Sequence, residues 1–176
     1  TTCGLRQVGN ACIYKGEKHG LHGRISNCPA SHVCVWEEMT GEEYVISVKG
    51  KISETKACAE NLILTREITA SAGKNKIVIR DTIENKGNTK QPFMLLYHCN
   101  MGFPLINDNA KIIIPNKGIS SMYEGRERQM ERYQYIGPPV EDITEDVFYF
   151  DALSDASGFV NVFVINDHNN PQLVMR

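Results

Sequence analysis

The sequence predicts an all-β protein built as an antiparallel β-sandwich, in which two sheets pack face to face. Two observations support this fold class. β-Branched and aromatic residues recur in short runs separated by Gly, Asn, Asp and Pro, whereas apolar residues at helical spacing are scarce. The runs also follow one another at intervals of about 8–12 residues, without helical segments between them.

Two β-hairpins are predicted in the first half of the chain. HVCVWEE (32–38) is followed by EEYVISVKGKI (42–52), and NLILTREITAS (61–71) is followed by NKIVIRDTIEN (75–85). A short Gly-containing turn joins the members of each pair. In the second pair, charged residues occupy alternate positions, as expected for an antiparallel sheet with one face in water.

The second half of the chain continues the strand pattern. After the polar turn at 86–92, an apolar run at 93–97 ends in His98. Further strand candidates lie at 110–115, 146–153, 158–166 and 171–176. The segment 116–145 is rich in Arg, Glu, Tyr and Pro, and we expect it to form a long loop.

Length and composition narrow the function classes. A chain of 176 residues predicts one domain, spanning 1–176. The net charge is −2 and the Lys and Arg residues are scattered, which argues against nucleic-acid binding. No apolar run approaches the roughly 18 residues that a membrane-spanning helix needs, so no membrane partner is expected.

The cysteines and the chain ends carry further expectations. Six irregularly spaced cysteines predict reduced thiols in a cytoplasmic protein. The chain begins without Met or a targeting segment and stops on an apolar run, which predicts a domain truncated at both ends. A truncated sandwich exposes sheet edges, which favour pairing with a second copy as a homodimer.

His98 is the first candidate functional residue. It follows the apolar run at 93–97 and precedes CNMGFP, which places it near a strand end where a side chain can meet a ligand. An imidazole titrates near neutrality and can therefore serve as a general acid. The alternative is a structural histidine whose hydrogen bonds are satisfied within the fold.

His22 is the second candidate, in the phrase LHGRISN (21–27). Gly20 and Gly23 flank it and allow the backbone to turn sharply beside a ligand. If the segment is extended, His22 and Arg24 project from one face, a combination that suits a hydroxyl-rich or carboxylate-bearing ligand. The alternative is a solvated loop.

The sequence does not predict a metal site. Five residues with side chains that zinc accepts lie close together in sequence: His19, His22, Cys28, His32 and Cys34. Their spacing does not fit the usual paired ligand motifs, so a structural zinc domain ranks only as a third alternative. The sequence also lacks G-x-S-x-G, a Gly-rich phosphate loop and H-E-x-x-H.

Together, LHGRISN and YHCNMGFPLI, whose histidines are 76 positions apart, resemble the galactose mutarotase-like superfamily of aldose 1-epimerases. The resemblance is closer to its DUF4432 branch and covers essentially the whole chain. It implies a large β-sandwich called a supersandwich, a small-molecule carbohydrate as partner, and no metal or organic cofactor. The implied activity is the isomerase reaction that interconverts sugar anomers by acid-base catalysis.

The resemblance also implies roles for individual residues. His98 matches the acid that protonates the ring oxygen of the sugar, and His22 matches a histidine that hydrogen-bonds nearby. Arg24 and Asn100 lie beside the matched phrases and are expected to bind sugar hydroxyls. HCNMGFP departs from the superfamily, whose acid histidine is usually followed by an aromatic pair and then Asn.

The resemblance leaves the general base unassigned. In the superfamily this base is a Glu in a late segment, and no position of this chain matches it. Glu141, Glu145 and Asp167 are candidates by residue type alone. The alternative function is therefore a non-catalytic carbohydrate-binding module that has kept the sheet and lost the acid-base pair.

Overall fold

The computed structural model describes residues 2–125, 130–139, 141, 145–166 and 172–176. The chain divides into two compact units, Thr1–Cys99 and Asn100–Arg176, and each sheet lies within one unit. All the named strands that pair with one another do so in antiparallel fashion. The predicted fold class, all-β with antiparallel sheets, is therefore confirmed.

A four-stranded antiparallel sheet dominates the first unit. Its strands are adjacent in the order β4 (Ser31–Thr40), β5 (Glu43–Thr55), β6 (Asn61–Ser71) and β7 (Ile77–Asn85). These strands confirm both predicted hairpins. The turns contain Gly41 at φ 64° and Gly73 at φ 73°, a backbone conformation that side chains disfavour and glycine allows.

Shorter elements complete the first unit. β1 (Thr2–Leu5) pairs with β8 (Met94–Tyr97), and β2 (Cys12–Tyr14) pairs with β3 (Glu17–His19). A single 3-10 turn covers Ile25–Asn27. Strands β1, β2 and β3 were not predicted, because three or four residues are too few to show an alternating pattern.

The core of this unit lies on one face of the four-stranded sheet. Leu62 and Leu64 of β6 are buried together with Leu5 of β1 and Ile25 of the 3-10 turn. The opposite face is mainly polar and carries the charged cross-strand row Lys49, Glu67 and Arg80. The alternation read from the sequence thus corresponds to one face that carries the core and one face that carries charges.

The same apolar face continues beyond the core as an exposed row. Val35, Val48, Ile68 and Ile79 lie in register across all four strands. Each of the four is exposed to solvent. The row extends the core layer, and the described residues of the first unit leave it partly open to solvent.

The second unit contains two small sheets. One has the order β13 (Gln172–Met175), β12 (Val162–Asn166) and β9 (Ala110–Ile113), and the other pairs β10 (Asn116–Ser121) with β11 (Phe148–Ala152). These strands confirm the predicted runs that begin near 110, 146, 158 and 171. The prediction that 116–145 is a loop is wrong at its start, because β10 occupies that part.

Strand β10 escaped prediction because its own sequence, NKGISS, has little apolar character. Its single large apolar residue, Ile119, lies opposite Phe150 of β11. The packing of β10 therefore comes from an aromatic residue of the neighbouring strand, and the sequence of β10 alone does not indicate it. Residues 126–129, 140 and 142–144 of the predicted loop lie outside the described residues.

Three further features bear on the function classes. In the described part of the chain, no helix is long and apolar enough to cross a membrane. All six cysteines are described, and all are free thiols. Among the same described residues, no three His, Cys, Asp or Glu side chains are grouped closely enough to hold a metal ion.

Candidate functional site

Strand β1 connects the two histidine segments. Along one edge it pairs with β8, where Gly4 lies opposite Leu95. Along its other edge, the Gly4 amide donates to the His22 carbonyl oxygen at 3.2 Å, and the Arg24 amide donates to the Gly4 carbonyl oxygen at 2.9 Å. The loop of residues 20–24 is thereby docked on β1 by backbone hydrogen bonds.

Gly23 permits this close docking. Its φ is 77°, and a Cβ atom at this position would lie 2.1 Å from the Gln7 carbonyl oxygen and 2.4 Å from that of Gly4. Both contacts are far shorter than van der Waals separation. His22, the preceding residue, is itself left-handed at φ 63°, a conformation that is uncommon for a residue with a side chain.

The structure brings the two candidate imidazoles together. The ring centroids of His22 and His98 are 5.2 Å apart, with an interplanar angle of 62° that gives an edge-to-face contact. His98 directly follows the last residue of β8, at a strand end as predicted. Both residues are half-buried.

The orientation of His22 has a second determinant. Its Nδ1 atom lies 3.5 Å from the Val8 carbonyl oxygen, and its backbone amide donates to the Gly9 carbonyl oxygen at 3.0 Å. A tautomer protonated at Nδ1 can donate to Val8, which leaves Nε2 as the acceptor nitrogen. The segment that follows β1 therefore helps to orient the ring.

Arg24 lies in a cluster of five charged side chains, here called the ion cluster: Arg6, Glu17, Arg24, Lys56 and Glu60. Arg24 Nη2 donates to Glu17 Oε1 at 2.8 Å, and Nη1 donates to Glu60 Oε1 at 3.3 Å. Arg6 Nη1 lies 3.0 Å from Glu60 Oε2, and Lys56 Nζ lies 3.2 Å from Glu17 Oε1. The Glu60 side chain is only 1% exposed.

These contacts change the acidity of the cluster. Hydrogen bonds from Arg24 and then from Lys56 lower the pKa of Glu17 to about 2. Glu17 in turn raises the pKa of the Arg24 guanidinium. Both groups are therefore charged throughout the physiological range.

The buried carboxylate of Glu54 holds the end of β1 by hydrogen bonds. Glu54 Oε2 accepts hydrogen bonds from the Leu5 amide at 2.7 Å and from the Arg6 amide at 3.3 Å. Sequence reasoning missed this group, although a signal existed. Glu54 occupies the inward-facing phase of β5, two residues after Ile52, where a charged residue is unusual.

The end of β8 is held by Tyr97, Asp81 and Arg66. Arg66 donates two hydrogen bonds to Asp81, from Nε at 2.8 Å and from Nη2 at 2.6 Å. The Tyr97 hydroxyl donates to Asp81 Oδ2 at 2.7 Å. This bidentate pair fixes the residue immediately before His98.

The local environment shifts the pKa values of Tyr97 and Asp81. Burial and the Asp81 hydrogen bond raise the pKa of Tyr97 to about 12. Burial by itself would raise the pKa of Asp81, but the hydrogen bonds from Arg66 and Tyr97 outweigh burial and lower it. The phenol therefore stays protonated and the carboxylate stays charged at neutral pH.

The family model of the domain of unknown function DUF4432 matches residues 1–176, which is the whole chain. This chain belongs to the DUF4432 family. The resemblance inferred from the two histidine phrases is thereby confirmed.

Among solved structures, the DUF4432 chain is similar to a candidate aldose 1-epimerase from Klebsiella pneumoniae subsp. pneumoniae MGH 78578. The TM-score is 0.92 at 24% sequence identity, and the match covers 97% of the DUF4432 chain and 44% of the other. This similarity establishes the fold. The DUF4432 chain thus spans less than half the length of that protein, and no curated protein matches its sequence.

The remaining predicted residues of the DUF4432 chain belong to the second unit or lie outside the described residues. Asn100 is an exposed residue of the second unit, and its predicted role stays a prediction. Of the candidate bases, Glu141 and Glu145 also belong to the second unit, and Asp167 lies outside the described residues. Sequence reasoning found the histidine pair but missed Glu17, Glu54 and Glu60.

Proposed function

We propose that this DUF4432 chain belongs to a carbohydrate-active protein that interconverts the anomers of an aldose, with His98 as the general acid. The observation that carries the proposal is the pair of imidazoles. Two histidines 76 positions apart in sequence meet at 5.2 Å, through backbone contacts that β1 makes with both segments. Such convergence suits a shared ligand.

The proposed chemistry is a balanced proton exchange on the sugar. A base takes the proton from the anomeric hydroxyl while His98 donates a proton to the ring oxygen, and the bond between the anomeric carbon and the ring oxygen breaks. Rotation of the resulting aldehyde and reclosure reverse both transfers on the other face. In this proposal His22 hydrogen-bonds the ring-oxygen region.

No residue of this chain is assigned as the base, and this favours a second candidate function. A protein that retains the histidine pair without a base would bind sugars and leave their anomers unchanged. This non-catalytic carbohydrate-binding module is the alternative. In either case the proposed partner is a small carbohydrate, and the free thiols fit a cytoplasmic setting.

The test is anomeric exchange measured by NMR saturation transfer with a panel of aldoses. We expect the protein to accelerate exchange, and His98→Asn to reduce the rate about 100-fold or more, since a general acid contributes about 10²–10⁴-fold. His32→Asn is the matched control, because His32 is exposed at φ 51°, where Asn is well tolerated.

Three outcomes separate the proposals. Exchange that depends on His98 and not on His32 supports the epimerase. Saturable sugar binding without exchange supports the binding module. If the protein neither binds nor interconverts any aldose of the panel, both proposals are wrong.

A further inference from the structure

The ion cluster ties the His22 loop to separate parts of the first unit. Arg24, two residues after His22, bridges Glu17 of β3 and Glu60, which precedes β6. Glu60 also binds Arg6, the residue that follows β1. The Arg24 guanidinium therefore links the loop directly to two other segments and, through Glu60, to a third.

The charges of the ion cluster balance once the neighbouring Glu54 is counted, and this balance bears on the role of Arg24. Arg6, Arg24 and Lys56 carry three positive charges, and Glu17 and Glu60 carry two negative charges. Glu54, beneath β1, is close enough to act on the charge of Arg24 and supplies a third negative charge. Together, the cluster and Glu54 have no excess of positive charge with which to attract an acidic ligand.

The terminal nitrogens of Arg24 are already occupied by contacts within the protein. The two nitrogens each contact a different carboxylate, and the deeper of the two, Glu60, has a side chain that is 1% exposed. Without Arg24, Glu60 would keep its contact with Arg6 but lose one of the two guanidinium groups that compensate its buried charge. Release of Arg24 to bind a sugar is therefore unfavourable.

The loop needs such a restraint. His22 holds a left-handed backbone at φ 63°, and conformations of this kind persist where surrounding contacts impose them. The backbone bonds to Gly4 fix the loop at its base, and the Arg24 side chain fixes it on the side of β3. Both restraints act within two residues of the His22 ring.

We propose that Arg24 is a positioning residue, which holds His22 against His98 through Glu17 and Glu60 and makes no contact with the sugar. The inference deepens the proposed function and rests on it for the role of the histidine pair. The positioning itself does not depend on any sugar and can be measured in the protein alone.

The first experiment measures the ring geometry by NMR. In the unmodified protein, the nuclear Overhauser effect between the His22 and His98 ring protons should be strong at a centroid separation of 5.2 Å. Arg24→Gln and Glu60→Gln should each weaken it several-fold. Arg80→Gln is the matched control, since Arg80 is exposed on β7 on the polar face of the sheet, and it should leave the effect unchanged.

Glu17→Gln is a second variant for the case in which Arg24→Gln and Glu60→Gln fail to fold, as judged by dispersion of the sheet amide signals. It should also weaken the Overhauser effect between the two histidine rings several-fold. Its side chain is 23% exposed, so its removal leaves no buried charge. The proposal is overturned if the Overhauser effect is undiminished in a folded Arg24 variant. If no Arg24 variant folds, an undiminished effect in Glu17→Gln overturns it.

The second experiment separates this proposal from the proposed function. If aldose exchange is observed, Arg24→Gln should lower kcat about tenfold or more with KM changed less than about twofold, whereas a direct sugar contact would raise KM. A raised KM at unchanged kcat overturns the positioning role. If no aldose is exchanged but the NMR result holds, Arg24 remains a positioning residue and the epimerase proposal falls.

Discussion

Glycine at position 23 decides whether the His22 loop can close on β1. Two backbone carbonyl oxygens, those of Gln7 and Gly4, occupy the space that a side chain would need. Backbone oxygens cannot rotate away as the tip of a flexible side chain can. The close approach of the two histidine segments therefore depends on the absence of a single methyl group.

Gly23→Ala should lower the free energy of unfolding by about 2–5 kcal/mol, because left-handed strain costs about 1–2 kcal/mol and overpacking costs about 1–3 kcal/mol. Gly16→Ala is the matched control. Gly16 has nearly the same φ, 78°, but nothing lies within 4 Å of its added Cβ, so only the backbone term of about 1–2 kcal/mol applies. Urea unfolding followed by the fluorescence of Trp36 measures both, and equal losses would show that the clash is relieved at no cost.

At the scale of single residues, the sequence predicted a turn that depends on glycine beside His22, but it did not predict the contacts that require glycine. Glycines beside His22 indicated a sharp turn, and this is what the structure shows. The atoms that exclude a side chain belong to Gln7 and to Gly4 of β1, a strand too short to be recognised from its pattern. The contact was therefore beyond the reach of sequence reasoning.

At the scale of elements, β6 shows how one strand face serves two environments. Leu64 and Ile68 project from the same face four residues apart, yet Leu64 is 0% exposed and Ile68 is 36% exposed. β1 and the 3-10 turn cover only the part of the face nearer Leu64. The alternating pattern predicts which face is apolar but carries no information on how far its cover extends.

The two positions should respond very differently to truncation. Leu64→Ala should cost about 2–5 kcal/mol of unfolding free energy, as for other large-to-small changes in a core. Ile68→Ala should cost about 1 kcal/mol or less, a loss of strand propensity with little loss of packing. Chemical denaturation of the two variants makes the comparison, and a cost at Ile68 that matches that at Leu64 would mean that a further element covers the row in solution.

Strand length explains which elements were predicted. The four strands of the large sheet have nine to thirteen residues each, and their alternation is long enough to identify. β2 has three residues, all exposed, and is held by its pairing with β3. Stabilisation that comes from a partner leaves no pattern in the strand itself.

At the scale of the whole molecule, charge balance ties stability to pH. Glu17 has a pKa lowered from 4.5 to about 2 in the folded protein, chiefly by Arg24. The unfolded chain therefore binds a proton before the folded one does as the pH falls. The contribution of Glu17 to stability is fully present above about pH 4.5 and is lost as the pH falls toward 2.

This linkage predicts an acid dependence that one substitution should reduce. The urea concentration at the unfolding midpoint should decrease as the pH is lowered from about 4.5 to about 2. Glu17→Gln should lower this midpoint at neutral pH and should make its decrease in acid smaller. Trp36 fluorescence reports on the same unit as Glu17. A Glu17→Gln variant with an unchanged acid slope would show that the carboxylate has no coupling to folding.

The fold class and the family were predictable because they depend on long strands and on two histidine phrases that the sequence displays. The ion cluster was not, since Glu17, Glu60 and Arg6 come from separate segments and meet only after folding. Asn100, Glu141 and Glu145 belong to the second unit, whereas the phrase that carries His22 belongs to the first. The sequence thus predicted the histidine pair, and the groups that hold it emerged from the structure.

Strand β1 has only four residues, yet among the described residues it bonds both the His22 loop and the strand that leads to His98. The long hairpins that separate the histidines in sequence contribute three residues to this arrangement: Glu54 holds β1, and Arg66 and Asp81 hold the end of β8. Insertions and substitutions in the turns of those hairpins are remote from these contacts and are therefore uncoupled from the geometry of the pair. Evolution can remodel the turns of the sheet while a short, glycine-containing strand preserves the spacing of the imidazoles.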